Sequence, residues 1–381
     1  MARILVVAGE ASGDRLGGLL LREFKAIYPG HTFFGIGSSF LEGQGVKLLA
    51  RSQELDIVGG PEGLSRLPKV YRVYSRLKRL ITKGEVDALL LIDYPGMNLK
   101  LARVAKDHGL PVVYYVSPQI WAWRPGRIKK IKGTVDLMMV ILPFEEELYR
   151  RAGVPVVYVG HPLVDVVRPQ MKKEDLCREL SIPRDREIIA LLPGSRQQEL
   201  DYLMGEMAHA AYLISQKREV FFLLPVAPTL SVERVKRQWG RLTWSEGIEC
   251  FIMKDNAYSA LAASHAALIA SGTATLEAAL LGTPQVLAYR VNPITYMVGK
   301  RLAKVKWLSL VNILLGKEVV PELIQSEATG VMMAQRLEAL LGEEGEVMKR
   351  EFSRLWEILG PSGASARAAR QLAEFLKERG L

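Results

Sequence analysis

Cysteine is almost missing from this chain: Cys177 and Cys250 are the only two, far apart and in no metal or redox spacing. That excludes a disulfide scaffold and suits a reducing compartment. Also missing is any run of about 18 apolar residues, so no segment reads as membrane-spanning. No Asp-x-Asp pair occurs, and no His/Cys/Asp cluster has metal-ligand spacing, so neither a metal nor another cofactor is expected. There is no low-complexity tract and no internal repeat. The start, MARILVVAGEASGD, has too short an apolar stretch for a secretory signal and runs at once into Glu10 and Asp14. It reads as a buried first strand.

What is present is a 381-residue chain, 49% hydrophobic, long enough for two or three domains. Short apolar runs alternate with helical patterns, the sign of an α/β protein with parallel sheets. Strands are expected at 3–8, 32–36, 88–92, 112–116, 136–142 and 156–159, then again at 188–192, 220–225, 248–252, 266–270 and 285–290. The unbroken hydrophobicity of these runs fits strands covered on both faces. Two doubly wound, Rossmann-like units follow, with a cleft expected between them. The expected divisions are residues 1–165, 166–345 and a helical tail, 346–381, that packs back on the first domain or on a partner.

Four segments stand at the ends of expected strands. AGEASGD (8–14) opens a helix with small residues, so either the backbone approaches a ligand there or Ser12 or Asp14 simply caps the helix. LIDYPGMN (91–98) carries Asp93 just past a fully apolar strand, either as a general base or as a turn former before Pro95. In LPGSR (192–196), Gly194 and Ser195 offer backbone N–H groups and Arg196 a planar fork suited to a diphosphate. An ordinary surface ion pair is the alternative. In ASGTATLE (270–277), Ser271, Gly272 and Thr273 form a turn at a helix start able to hold a diphosphate, and Glu277 can accept ribose hydroxyls. The same pattern also fits a capping box. His161, followed by Pro162, suits a turn or a hydrogen bond better than catalysis.

The net charge of +10 is uneven: residues 1–150 hold 22 basic against 15 acidic side chains, the remainder 29 against 26. The stretch 64–83 has seven basic residues and no acidic one, with apolar residues at helical spacing. Its cations, among them Arg72, Arg76, Lys78 and Arg79, suit an anionic membrane surface, or else a solvated face over ordinary packing. A second basic-aromatic cluster, WAWRPGRIKKIK, follows at 121–132.

Taken in order, GEASGD (9–14), IDYPGMN (92–98), YVSPQIWAWR (115–124), LPFE (142–145), GHPL (160–163), LPGSR (192–196), ASGTATLE (270–277) and SLVNILLG (309–316) resemble the lipid-A-disaccharide synthases. The resemblance implies the GT-B fold and an inverting transfer of 2,3-diacylglucosamine from its UDP ester to 2,3-diacylglucosamine 1-phosphate. The products would be a β-1,6-linked disaccharide 1-phosphate and UDP. It implies that Asp93 is the base, that Arg196 acts near the diphosphate, and that Ser271 to Thr273 and Glu277 bind UDP. Glu10, Ser12, Asp14 and Asn98 would lie in the acceptor region. It further implies work in the cytoplasm at the inner membrane surface, and homodimers with exchanged C-terminal elements. No nucleic-acid partner is implied. Gly96-Met97 stand where the family usually has Asp-Phe, which leaves Asp93 without a second carboxylate, and Val311 stands where Pro is usual. The rival readings are another UDP-GlcNAc transferase or epimerase of the cell envelope, or a basic binding protein without enzymatic activity.

Overall fold

The run Leu5-Val6-Val7 and its counterpart Leu89-Leu90-Leu91 contain no residue that tolerates water, and both end up at most 1% exposed. Such segments need cover on both faces, which a parallel sheet flanked by helices supplies. A computed structural model describes the chain except for residues 56–60, 123–124, 184 and 271. It divides into two units: Met1–Asp165 with Leu359–Leu381, and Val166–Ile358.

In the first unit seven parallel strands, β1 (Arg3–Ala8), β2 (Thr32–Gly37), β3 (Lys47–Arg51), β4 (Ala88–Ile92), β5 (Val112–Tyr115), β6 (Leu137–Val140) and β7 (Val156–Tyr158), lie in the order β3-β2-β1-β4-β5-β6-β7. The second unit has six parallel strands: β8 (Glu187–Leu192), β9 (Val220–Val226), β10 (Cys250–Lys254), β11 (Ala266–Ala270), β12 (Gln285–Tyr289) and β13 (Glu322–Ile324). Their order is β10-β9-β8-β11-β12-β13. Each sheet therefore reverses direction once, between β1 and β4 and between β8 and β11. Ligands of open α/β sheets bind at the carboxyl ends of the strands flanking such a reversal.

Two strands escape the sequence pattern, β3 and β13. Both are sheet-edge strands, half-exposed and short, so they lack the apolar run that marks a central strand. The tail expected at 346–381 contains two helices. The helix Glu343–Leu359 lies almost wholly in the second unit, and the helix Ala364–Lys377 returns to the first. That return is held by polar bonds. Asp165 accepts from the Gly363 and Ser365 N–H groups at 2.5 and 3.1 Å, capping the helix. Arg367 donates to the Val159 carbonyl at 2.9 Å.

The basic helix Pro61–Thr82 packs by its apolar side. Leu77 and Ile81 are buried, and Val70, Val73, Tyr74 and Leu80 pack against the same core cluster. Its apolar side thus stabilises the fold, each fully buried residue by roughly 1.5–3 kcal/mol. Arg72, Arg76, Lys78 and Arg79 remain exposed, with Leu67 and Tyr71 the exposed large apolar side chains of its described part. No helix among the described residues is long and apolar enough to cross a membrane.

Candidate active site

At the reversal in the first sheet, Ala8 of β1 pairs with Ile92 of β4, so Gly9-Glu10 and Asp93 emerge side by side. The chain leaves β4 through two successive left-handed residues, Asp93 at φ 45° and Tyr94 at φ 46°. Non-glycine residues are strained there and persist only when their surroundings over-determine them. Here Asn98 Nδ2 donates to the carbonyl of Asp93 at 2.7 Å, and also to those of Ile92 and Val7. The Tyr114 hydroxyl donates to the same Asp93 carbonyl. Tyr94 is held in turn by its hydroxyl bond to the Leu55 carbonyl, 3.2 Å. Its ring lies against Gly9, where an added Cβ would fall 2.3 Å from ring carbons. That contact explains why glycine opens the GEASGD segment.

Asp93 keeps some exposure, yet burial pushes its carboxyl up to about 7. The charges of Glu10 and Glu145 push the same way, against a hydrogen bond from the Tyr94 N–H. Glu145 is itself 1% exposed and raised to about 7 by burial. It accepts from the Ser117 hydroxyl at 2.6 Å, the Trp121 indole N–H at 3.0 Å and the Leu142 N–H at 3.3 Å. One buried carboxyl thus ties the segment after β5 to the start of the helix Pro143–Arg151. Val116, which begins that segment, is also left-handed, at φ 61°.

At the second reversal, Leu192 of β8 pairs with Ile269 of β11, so LPGSR and the Gly272-Thr273 turn emerge as neighbours. Gly194 sits at φ 125°, and a Cβ there would meet a Glu199 carboxylate oxygen at 2.2 Å. The reason is that Glu199 accepts from the N–H groups of Ser195 (2.8 Å) and Arg196 (3.2 Å). The Ser195 N–H, expected as a ligand donor, thus has an acceptor in the chain's own Glu199. Arg196 keeps a half-exposed guanidinium, 3.9 Å from Glu199. Gly272, at φ 141°, and Thr273 are exposed at the start of the helix Ala274–Leu280. Ser271 lies outside the described residues. Glu277 is half-buried and accepts from the Tyr258 hydroxyl at 2.7 Å.

A family profile described as Lipid-A-disaccharide synthetase matches residues 4–373. The chain belongs to that family. It is 43% identical to the lipid-A-disaccharide synthase of Syntrophus aciditrophicus, with 98% of each chain covered. With that of Geobacter metallireducens it shares 40% identity, over 99% of this chain and 98% of the relative. Among solved structures, the UDP co-structure of Staphylococcus aureus MnaA is similar with a TM-score of 0.66, covering 99% of this chain and 97% of that one. At 12% identity that likeness concerns the fold alone. With such neighbours, two Rossmann-like units of the GT-B kind are the architecture of this family member.

Within this lipid-A-disaccharide synthase family member, the residues assigned to the acceptor separate into two groups. Glu10 and Ser12 lie at or near the surface where the chain leaves β1, and the charge of Glu10 reaches Asp93. Asp14 and Asn98 are buried and bonded to backbone groups of their own unit. Asp14 is 1% exposed and accepts from the N–H groups of Ser38, Phe40 and Leu41 at 2.5, 3.0 and 3.3 Å. Asn98 is 0% exposed. His161, 3% exposed, accepts from the Leu163 N–H at 3.2 Å, and burial lowers it to about 4. Asn312 likewise bonds the Val319 and Val320 backbone and Glu322. Sequence reasoning passed over Glu145 and Tyr258. For Glu145 a signal existed: a glutamate three residues past Leu142, at the start of a helix that follows a strand, is the acidic half of a capping pattern.

Proposed function

We propose that this enzyme moves 2,3-diacylglucosamine from UDP-2,3-diacylglucosamine to 2,3-diacylglucosamine 1-phosphate. It would form the β-1,6-linked disaccharide 1-phosphate and release UDP. The full-length family match supports the substrates, and one observation carries the chemistry: a partly exposed carboxyl at the first sheet reversal that titrates near 7. A base does most when its pKa lies close to the working pH, because it is then both unprotonated and able to hold a proton. Asp93 takes the proton of the acceptor 6-hydroxyl as that oxygen attacks the anomeric carbon from the side opposite UDP. A single displacement inverts the configuration.

The negative charge that grows on the departing diphosphate is met by the Arg196 guanidinium and the Gly272-Thr273 backbone, with Ser271 in the same motif. Glu277, steadied by Tyr258, accepts the ribose hydroxyls. Glu10 and Ser12 border the acceptor, and Asp14 and Asn98 hold the backbone around it. No metal takes part in this scheme. Because both substrates carry acyl chains, the enzyme works at an anionic membrane surface as a peripheral protein on the cytoplasmic side. It does so as a homodimer that exchanges C-terminal elements.

The test is direct. The enzyme is mixed with the two substrates in detergent and EDTA, and the disaccharide and UDP are measured. Asp93→Asn is expected to lose about 10²–10⁴-fold in turnover while keeping its affinity for UDP. Near-normal turnover in that variant would remove Asp93 from its role, and a requirement for added Mg²⁺ would overturn the metal-free scheme.

A further inference from the structure

Three neighbouring strands of the first sheet end side by side. The Asp93 N–H, just past β4, donates to the Tyr115 carbonyl of β5 at 3.0 Å. The Val116 N–H, just past β5, donates to the Met139 carbonyl of β6 at 3.1 Å. Chain leaving β5 therefore emerges between the Asp93 turn and the start of the helix Pro143–Arg151. This segment, Val116 to Trp121, is neither helix nor strand, yet Ser117, Pro118 and Ile120 are buried in it. Its first residue is left-handed at φ 61°, a strained state for a β-branched side chain. Such a conformation persists only when the surroundings impose it.

Glu145 is the group that imposes it. Its Oε1 accepts from the Ser117 hydroxyl at 2.6 Å and from the Trp121 indole N–H at 3.0 Å, so one atom grips both ends of the segment. Its Oε2 accepts from the Leu142 N–H at the start of its own helix, at 3.3 Å. The Trp121 ring also meets Phe144 edge-on, centroids 5.1 Å apart. A capping glutamate needs only the Leu142 bond and can make it from the surface. Burial to 1% exposure carries a desolvation cost that capping alone does not require; the two bonds across to the segment account for it. We infer that Glu145 is a positioning residue for the reaction: through Ser117 and Trp121 it holds the segment Val116 to Trp121 as a fixed wall beside Asp93. For its consequence in turnover the inference rests on the proposed reaction, with Asp93 as the base. The charge of Glu145 acts separately, raising Asp93 together with Glu10 and against the Tyr94 N–H. Tyr114 and Tyr149, also buried here, are raised by burial above the ordinary tyrosine value and stay neutral.

Three variants test it, with turnover measured on detergent-dispersed substrates well below each melting temperature and UDP affinity measured by calorimetry. Glu145→Ala cuts the tie and should lower kcat about 10–100-fold across the pH range, at unchanged UDP affinity, since small misplacements of this kind are that costly. Glu145→Gln keeps an oxygen for Ser117 and Trp121 and gives up only the longer Leu142 bond. It should recover most of that loss above about pH 8, with the acid limb moved to lower pH. Ser117→Ala with Trp121→Phe cuts the same tie from the other side while leaving the helix cap in place, and should match Glu145→Ala. That pair decides the matter if Glu145→Ala does not fold. Near-normal kcat in either tie-cutting variant would overturn the inference. So would a glutamine variant as impaired as the alanine one above about pH 8, because charge and not position would then be what matters. Asp93→Asn reads the proposed base separately: normal turnover there would sink that reading, while a loss in Glu145→Ala recovered by Glu145→Gln would still stand.

Discussion

Replacing Glu145 with Gln isolates what a buried carboxyl does beside the proposed base. At 1% exposure the group is raised from its ordinary 4.5 to about 7. Folded protein therefore holds this proton at pH values where the unfolded chain has released it. Stability contributed by the site is full below about 4.5, falls as pH rises toward 7, and is level above. The displacement corresponds to about 3 kcal/mol. Glutamine keeps the shape but never ionises, although its amide N–H₂ must face one of the three donors now served by the carboxyl, at a loss of about 1–2 kcal/mol. The variant should thus be less stable than wild type near pH 4.5. Near pH 8 the comparison should swing by about 3 kcal/mol in its favour, so that it equals or exceeds wild type. Urea unfolding at the two pH values reads the swing, and an equal gap at both would refute the buried-charge argument. The kinetics give an independent check. Because the Glu145 charge also raises Asp93, the acid limb of kcat/KM, expected near pH 7 in wild type, should move to lower pH in the variant.

Three further outcomes are expected. Arg196→Ala should weaken UDP binding by about 1.5–3 kcal/mol, the worth of a hydrogen bond to a charged group; unchanged calorimetric affinity would discredit the diphosphate assignment. Asp14→Ala leaves the Ser38, Phe40 and Leu41 N–H groups without their acceptor. It should destabilise the fold by about 1–3 kcal/mol, read as a lower melting temperature, with UDP affinity in the second unit unaltered. Gly9→Ala forces the Tyr94 ring away from a Cβ only 2.3 Å distant. It should lower turnover more than UDP affinity, and full activity would show that the Asp93–Tyr94 turn tolerates displacement.

Much of this protein is legible before any coordinates. Central strands such as β1, β4, β8 and β11 are unbroken apolar runs, and only a two-sided parallel sheet satisfies them. The strand-end segments then fall where each sheet reverses, because the reversal is set by strand order and those segments follow the strands that flank it. The pairing of Tyr258 with Glu277, by contrast, joins residues 19 positions apart on two different helices, and no local spacing announces it.

Chain order by itself determined the two α/β units, the strand-end motifs and the family, since these depend on local periodicity and on ordered short segments. Only the tertiary structure decided which polar groups remain free for ligands. Asp14 and Asn98 look available in sequence, yet distant backbone amides and carbonyls claim them; Glu199 fills the turn that Gly194 and Ser195 form. The same holds for apolar faces: Pro61–Thr82 and Pro293–Leu302 are both basic and amphipathic in the alphabet of residues, but the first packs most of its described apolar side on its own core, while the second buries none of its residues. Availability is a property of what else folds against a group, and a linear pattern does not carry that information.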